Sequence, residues 1–412
     1  MKAEIVVNNS SKPDANYLTW APSPLRVRMT TPIAELPRRQ VTLRAKRKAG
    51  GGDLVFYANL AAGATPKRRI VLTLPMLGTS VSCFVAGRFG AASKNFGDVE
   101  IEVVAAKKVI ARLPVMVRIR KDATKLSASE RDRFVSALAV LNNRGTGRFV
   151  DFRNMHVNAA SPEAHGGAGF LPWHRAYLLD LERELQAIDP NVAMPYWRFD
   201  RPAAAVFKPN FMGASDPIGT VSFSAGNPLQ FWSTDGVPGI NRRPFFLVGT
   251  QSPSGLLDEL QTIALGNSYS GFRVMEGNPH GSAHTSFGGF ISSIGTAARD
   301  PLFFMLHANV DRLWAKWQHQ RNRFDPSLAS AYDSGGAGGN RVGHNLTDTM
   351  WPWNGVTTPP RPSTAPGGAF AASSIVTAPG LQPHVRDELD YQGRFAVADR
   401  LGFDYDDVPF VL

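Results

Sequence analysis

The stretch Gly169-Phe170-Leu171-Pro172-Trp173-His174-Arg175-Ala176-Tyr177-Leu178-Leu179-Asp180-Leu181-Glu182 constrains this chain more than any other. It reads as a loop that becomes a helix at Pro172, because the first helical turn leaves its N–H groups unpaired and proline has none to lose. Leu178, Leu181 and Leu185 then follow helical spacing and face a core. His174 stands at the head of that helix, among Trp173 and Tyr177. A histidine in so apolar a setting must satisfy two ring nitrogens, by ordinary hydrogen bonds or by a metal.

The other histidines bear on that choice. The chain has nine: His156, His165, His174, His280, His284, His307, His319, His344 and His384. Six fall into two groups of three. His280 and His284 are four apart, one turn on the same helix face, as are His307 and Asp311. His156, His165 and His174 are spaced by nine and nine, so at least one must come from a loop. Imidazole suits zinc, copper, iron and nickel, and two three-imidazole sets without cysteine or carboxylate favour copper. The His-Glu-x-x-His pattern of zinc hydrolases is missing, since Gly281 follows His280. Taken alone, any one of these residues is more often a hydrogen-bonded core histidine. Six in two groups, each entering a helix with aromatic flanks, weaken that reading. His319, His344 and His384 lie outside both groups and are expected to be structural or on the surface.

At 412 residues the chain can form two domains with a sizeable core. Its charge is unevenly placed. Residues 1–122 carry 21 Lys+Arg and 8 Asp+Glu, a net of +13, whereas the remaining 290 carry 24 and 26, a net of −2. The first segment is therefore expected to be a separate basic module. Runs at 40–46, 53–58, 69–74, 81–86, 99–104 and 114–119 look like strands, with Gly50-Gly51-Gly52 and Ala61-Ala62-Gly63 as turns. Short strands at this spacing suggest an all-β, sandwich-like domain. Its cations are scattered along alternating strands rather than grouped with aromatics, so no nucleic-acid partner is expected. Beyond it, Ser127 and Glu130 have capping-box spacing ahead of a helical run. Residues 201–255 and 333–380 look like long loops, and Asp300-Pro301 opens a strong helix to about Gln320. The expected architecture is a β-sandwich-like domain over 1–122, then a mainly α domain over 123–412, a four-helix-bundle metal core with long loops. No apolar run reaches the ~20 residues of a membrane span, so no membrane partner is expected. No secretory h-region is visible and Cys83 is the single cysteine, which rules out an internal disulfide. A cytoplasmic protein is the plain expectation, with export alongside a carrier partner as the other.

The stretch Gly169 to Glu182 closely resembles the first copper signature of the tyrosinases, catechol oxidases and hemocyanins, the type-3 dicopper family. His280-Gly281-Ser282-Ala283-His284, then Asp300-Pro301-Leu302-Phe303 through His307, Asp311, Arg312 and Trp314, resembles the second. Met194-Pro195-Tyr196-Trp197 matches a further family segment. The resemblance covers about 127–320, and Phe403-Asp404-Tyr405 looks like a variant of the family's Tyr-x-Tyr closure. It is bacterial-like, with the N-terminal β-domain as an addition. It implies that His156, His165 and His174 bind one copper ion and His280, His284 and His307 a second, with O₂ as cosubstrate. Many members tie the second histidine of the first set to a nearby cysteine through a thioether. Glu163 and Ala164 precede His165 here, so packing and hydrogen bonds must hold it.

The resemblance further implies a polyphenol oxidase that turns o-diphenols into o-quinones, with monophenol hydroxylation or o-aminophenol oxidation beside it. Glu276 matches the glutamate that orients a water near the copper pair and is the candidate base. A phenol ring is expected over His284. Gly281 stands where strong monophenol hydroxylases often have asparagine, which argues against that activity. Asp300, Phe303 and Asp311 are expected around the ligands, Asp311 as anchor for a ligand histidine or a helix end. A surface ion pair of Asp311 with Arg312 or Lys316 fits the spacing equally well. The partners expected are a small phenolic substrate and a copper-delivery protein. The β-domain is a candidate cover for the site, through an aromatic such as Phe84, Tyr57 or Trp20. Two other readings compete: a hemocyanin-like O₂ carrier, and a binding module with a vestigial copper site.

Overall fold

Alternation of apolar and polar side chains organises the described residues of the N-terminal region into nine strands: β1 (Ala3–Val7), β2 (Tyr17–Leu18), β3 (Ser23–Met29), β4 (Gln40–Arg47), β5 (Leu54–Tyr57), β6 (Arg69–Thr73), β7 (Ser80–Gly87), β8 (Val99–Ala105) and β9 (Lys108–Val117). The structure is a computed structural model that describes residues 2–31, 40–75, 78–335 and 341–412. Four strands form one sheet in the order β1-β3-β7-β5, and five form another in the order β2-β9-β8-β4-β6. In β3 the period is explicit: Leu25, Val27 and Met29 are buried while Arg26 and Arg28 are exposed. Inward residues of both sheets, among them Val27, Leu43, Val85, Ile101 and Val115, make one core. All six expected strands are present. β1, β2 and β3 lie outside the expected runs, and β3 carries Pro24, which argues against a strand in a sequence.

Contacts divide the chain into two units that differ from the expected 1–122 and 123–412. The first joins Met1–Ile119 with Ser373–Thr377 and Gln392–Leu412, and the second joins Arg120–Ala372 with Ala378–Tyr391. The boundary falls before Arg120 because Tyr196 N–H donates to Lys121 O (3.0 Å) and Ala123 N–H to Tyr196 O (2.9 Å). The last residues join the β unit through specific bonds. Asp404 Oδ2 accepts from the N–H groups of Trp20 (2.8 Å) and Ala21 (3.1 Å), and Trp20 Nε1–H donates to Tyr405 O (2.9 Å). Trp20 is thus a core residue of its own unit, packed against Phe89. Burial pushes the Asp404 carboxyl up to about 6.

The second unit holds the helices α1 (Ala128–Asn142), α2 (Phe149–Met155), α3 (Ser161–Ala164), α4 (Phe170–Ile188), α5 (Glu259–Ile263), α6 (Tyr269–Phe272), α7 (Ser282–Thr285), α8 (Ile294–Ala297) and α9 (Leu302–Arg321). The capping box forms as expected: Glu130 N–H donates to Ser127 Oγ and Ser127 N–H to Glu130 Oε2. The long helix α4 packs on both α1 and α9. In place of a fourth long helix, α6 and α7 are joined by a 3₁₀ turn, Arg273–Glu276, and a π turn, Gly277–Gly281. A buried ion cluster ties α4 to α9. Asp311 Oδ1 accepts from Arg175 Nε (2.6 Å), Asp311 Oδ2 from Arg120 Nη1 (3.1 Å), and Glu182 Oε2 from Arg120 Nη2 (2.7 Å). Two cations face two carboxylates there, so the burial is compensated. Among the described residues no helix is long and apolar enough to cross a membrane.

Candidate metal centre

The first triad comes from three short pieces of chain. His156 ends α2, His165 follows α3, and His174 lies in the first turns of α4. His165 is therefore the loop-borne histidine that the spacing demanded. His156 Nδ1 bonds to Ile294 O (3.2 Å) and His174 Nδ1 to Phe170 O (2.8 Å). Their Nε2 atoms are buried without a protein partner, as is His165 Nδ1.

The second triad is built on the π turn, α7 and α9. His280 Nδ1 bonds to Glu276 O (2.8 Å) and His284 Nδ1 to Ile291 O (2.7 Å). Their Nε2 atoms stand 3.3 and 3.1 Å from His307 Nε2. A neutral imidazole that donates its Nδ1–H keeps a lone pair on Nε2. The lone pairs of His280 and His284 thus converge on one point, an arrangement that a cation resolves. In each triad the three donor atoms lie within 4.8 Å of one another. The two triads adjoin, for the rings of His174 and His307 stack at 4.3 Å with planes 9° apart.

Burial keeps all six imidazoles neutral, the form a metal requires. It lowers His156 to about 3 and His284 to about 4, and holds His165, His174, His280 and His307 below the usual histidine range. Neighbouring imidazoles add to the effect at His156, His165, His174, His280 and His307. Three neutral imidazoles per group, without thiolate or carboxylate, fit two copper ions.

A cavity of about 340 Å³ opens onto both groups, lined by His156, His165, His280 and His284 with Glu276, Gly281, Thr285, Ile291, Ile294 and Ala297. Glu276 Oε1 accepts from Gly166 N–H (2.6 Å), and burial raises its pKa above the usual carboxylate value. A side chain at Gly281 would start 3.3 Å from Glu276 O. Phe303 is fully buried, with its ring 4.3 Å from His307 and 4.6 Å from His156. Asp300, just ahead of Pro301 at the head of α9, accepts from Leu302 N–H (2.9 Å) and forms a two-pronged pair with buried Arg242. Asp311 is not at the surface: it lies in the buried ion cluster, while Arg312 and Lys316 pair with Glu259. Through Arg175, the neighbour of His174, Asp311 fixes the helix that carries that ligand candidate.

Residues 146–320 match the common central domain of tyrosinase. The tyrosinase of Streptomyces antibioticus is 33% identical over 268 residues, which cover 58% of this chain and 94% of that protein. The chain belongs to the tyrosinase family. Hemocyanin A-type, units Ode to Odg, of Enteroctopus dofleini is 27% identical over 227 residues, 48% of this chain and 18% of that protein. The solved functional unit of octopus hemocyanin is 20% identical, with a TM-score of 0.49, covering 71% of this chain and 69% of that one. As a tyrosinase-family protein the chain is a type-3 copper protein, and its two histidine triads fit the two ions of that family. The β unit lies outside the central-domain match.

Some residues around the site carried no sequence signal. Ile291, Ile294 and Phe170 act through backbone carbonyls, which any residue type supplies. His344 was visible as a histidine, but its contacts with the segment around His165 lie about 180 positions away in sequence.

Proposed function

We propose that this tyrosinase-family protein is an oxidase that converts o-diphenols to o-quinones with O₂. The observation that carries the reading is the cavity beside the two triads. Small-molecule pockets begin at about 300 Å³, and this one, about 340 Å³, leaves room for a phenol ring next to the metal ligands. A hemocyanin-like O₂ carrier needs no such room. Held by His156, His165 and His174 and by His280, His284 and His307, copper supplies the two-electron exchange with O₂ that no side chain performs.

The chain's own residues do the rest. Ile291, Ile294 and Ala297 give the cavity an apolar wall that excludes water from an aromatic ring. The ring lies against His284, whose orientation is set by Ile291 O. Glu276 accepts the phenolic proton. Gly166 N–H holds one of its oxygens, and burial makes the carboxylate a stronger base than one in water. Gly281 presents no side chain to a monophenol, which favours catechols and o-aminophenols. Copper-loaded protein should take up O₂ with catechol and produce the quinone absorbance, with slower turnover of a tyrosine-like phenol. Reversible O₂ binding without turnover of catechol, phenol or o-aminophenol would replace the reading by the carrier.

A further inference from the structure

His165 differs from the other loop- and turn-borne histidines of the two triads. His156, His280 and His284 each have Nδ1 fixed by a backbone carbonyl, whereas His165 Nδ1 has no hydrogen-bond partner. Cys83, the one cysteine of the chain, is buried in the core of the β unit. The His165 ring sits ahead of Gly166, Gly167 and Gly169, a run of residues with little conformational preference of their own. Apart from ring contacts with His156, His174 and Phe170, its orientation rests on whatever fixes the backbone on either side.

That backbone is gripped by a segment far along the chain. His344 Nδ1 accepts from Gly169 N–H (2.9 Å), and His344 Nε2–H donates to Pro162 O (2.7 Å). Arg341 donates from Nη1 to Gly166 O and from Nη2 to Pro162 O, both at 2.9 Å. These bonds bracket His165 from three residues before it to four after. The fit leaves no space: a Cβ on Gly167 would stand 2.3 Å from His344 Cε1 and 2.5 Å from Nδ1. His344 is itself anchored, since Tyr332 Oη–H donates to its carbonyl (2.7 Å) and Asp348 Oδ2 accepts from Gly343 N–H (2.9 Å) and Asn345 N–H (3.1 Å). It is 1% exposed. One ring nitrogen must accept and the other donate, so its partners fix a single neutral tautomer.

We propose that His344, with Arg341, is a positioning residue of the first triad: a noncovalent clamp that presents His165 to its copper ion. The inference rests on the reading that His156, His165 and His174 hold one ion. Groups that orient a metal ligand from behind typically change metal affinity by about 10- to 100-fold. In full-length protein, His344→Ala should keep one copper ion at wild-type affinity and bind the other at least about tenfold more weakly. His344→Asn, whose Oδ1 can take the bond from Gly169, should recover part of that loss. In copper-free protein, amide exchange over 165–169 should quicken in His344→Ala while that over 277–285 stays as in wild type. Should His344→Ala fail to fold, Arg341→Ala is read the same way, because Arg341 is exposed and its loss spares the core. Wild-type affinity at both ions, or equal weakening at both, would overturn the clamp. A wild-type chain that takes up no copper would instead end the dicopper reading, with the exchange comparison still deciding whether the clamp exists.

Discussion

Glu276 receives the Gly166 N–H on one oxygen and lines the cavity with the rest of its side chain. Glutamine in its place keeps the shape and the acceptor but cannot take a proton. Glu276→Gln is therefore expected to lower monophenol turnover by about 10²-fold and catechol turnover by less, read by parallel steady-state assays on the two substrates. Equal losses would remove Glu276 from the proton transfer. Gly281→Asn tests the neighbouring position: the ratio of monophenol to diphenol rates should rise, and an unchanged ratio would show that Gly281 does not limit the substrate. The six histidines could be read in the sequence because their type is rare and their spacing recurrent. The groups behind them could not. His156 is oriented by Ile294, 138 residues away, through a carbonyl common to every residue. Asp311 was misread in one of its two forms because spacing alone cannot tell a buried aspartate from an exposed one.

Helix α9 carries His307, and Asp300 receives the N–H of its first residue, Leu302. Asp300 and Arg242 are both fully buried and bonded at two points. Asp300→Ala would leave a buried guanidinium uncompensated and cost about 3–5 kcal/mol. The unfolding midpoint in denaturant should fall accordingly, and an unchanged midpoint would show that Arg242 finds another partner. Ser127→Ala, at the exposed start of α1, should cost only about 1 kcal/mol. Long helices were legible because their apolar period repeats over several turns. The segment that positions His280 and His284 was not, since α6, the two turns after it and α7 are each too short to show a period. The six strands with clean alternation could be read, while β3 was hidden by Pro24.

Across the whole molecule, the basic charge of the β unit is partly organised around buried carboxylates. Asp53 accepts from Arg88 (2.8 Å) and pairs with Arg68 and Arg47. Burial alone would raise its pKa, but the bonds from Arg88 and Arg68 outweigh that and hold it below the usual value. A carboxylate depressed on folding stabilises the fold above its unfolded pKa of about 3.9. That contribution is lost as pH falls through the folded value. Asp53→Asn should thus cost about 2 kcal/mol near neutrality, and the gap to wild type should close in acid. A gap independent of pH would mean that the ion pairs contribute nothing. The extent of the β unit was the least legible feature, because nothing in 392–412 resembles a strand that belongs with residues 1–119. Cutting the chain at Lys121 would strip Asp404 of its bonds from Trp20 and Ala21 and leave it the one from Gln392.

The union of Gln392–Leu412 with Met1–Ile119 also orders events in time. A ribosome releases strands β1 to β9 long before it makes Asp404 and Tyr405. The β unit must wait, incomplete, while the copper-binding helices emerge and assemble, and it closes only when residues 392–412 reach it.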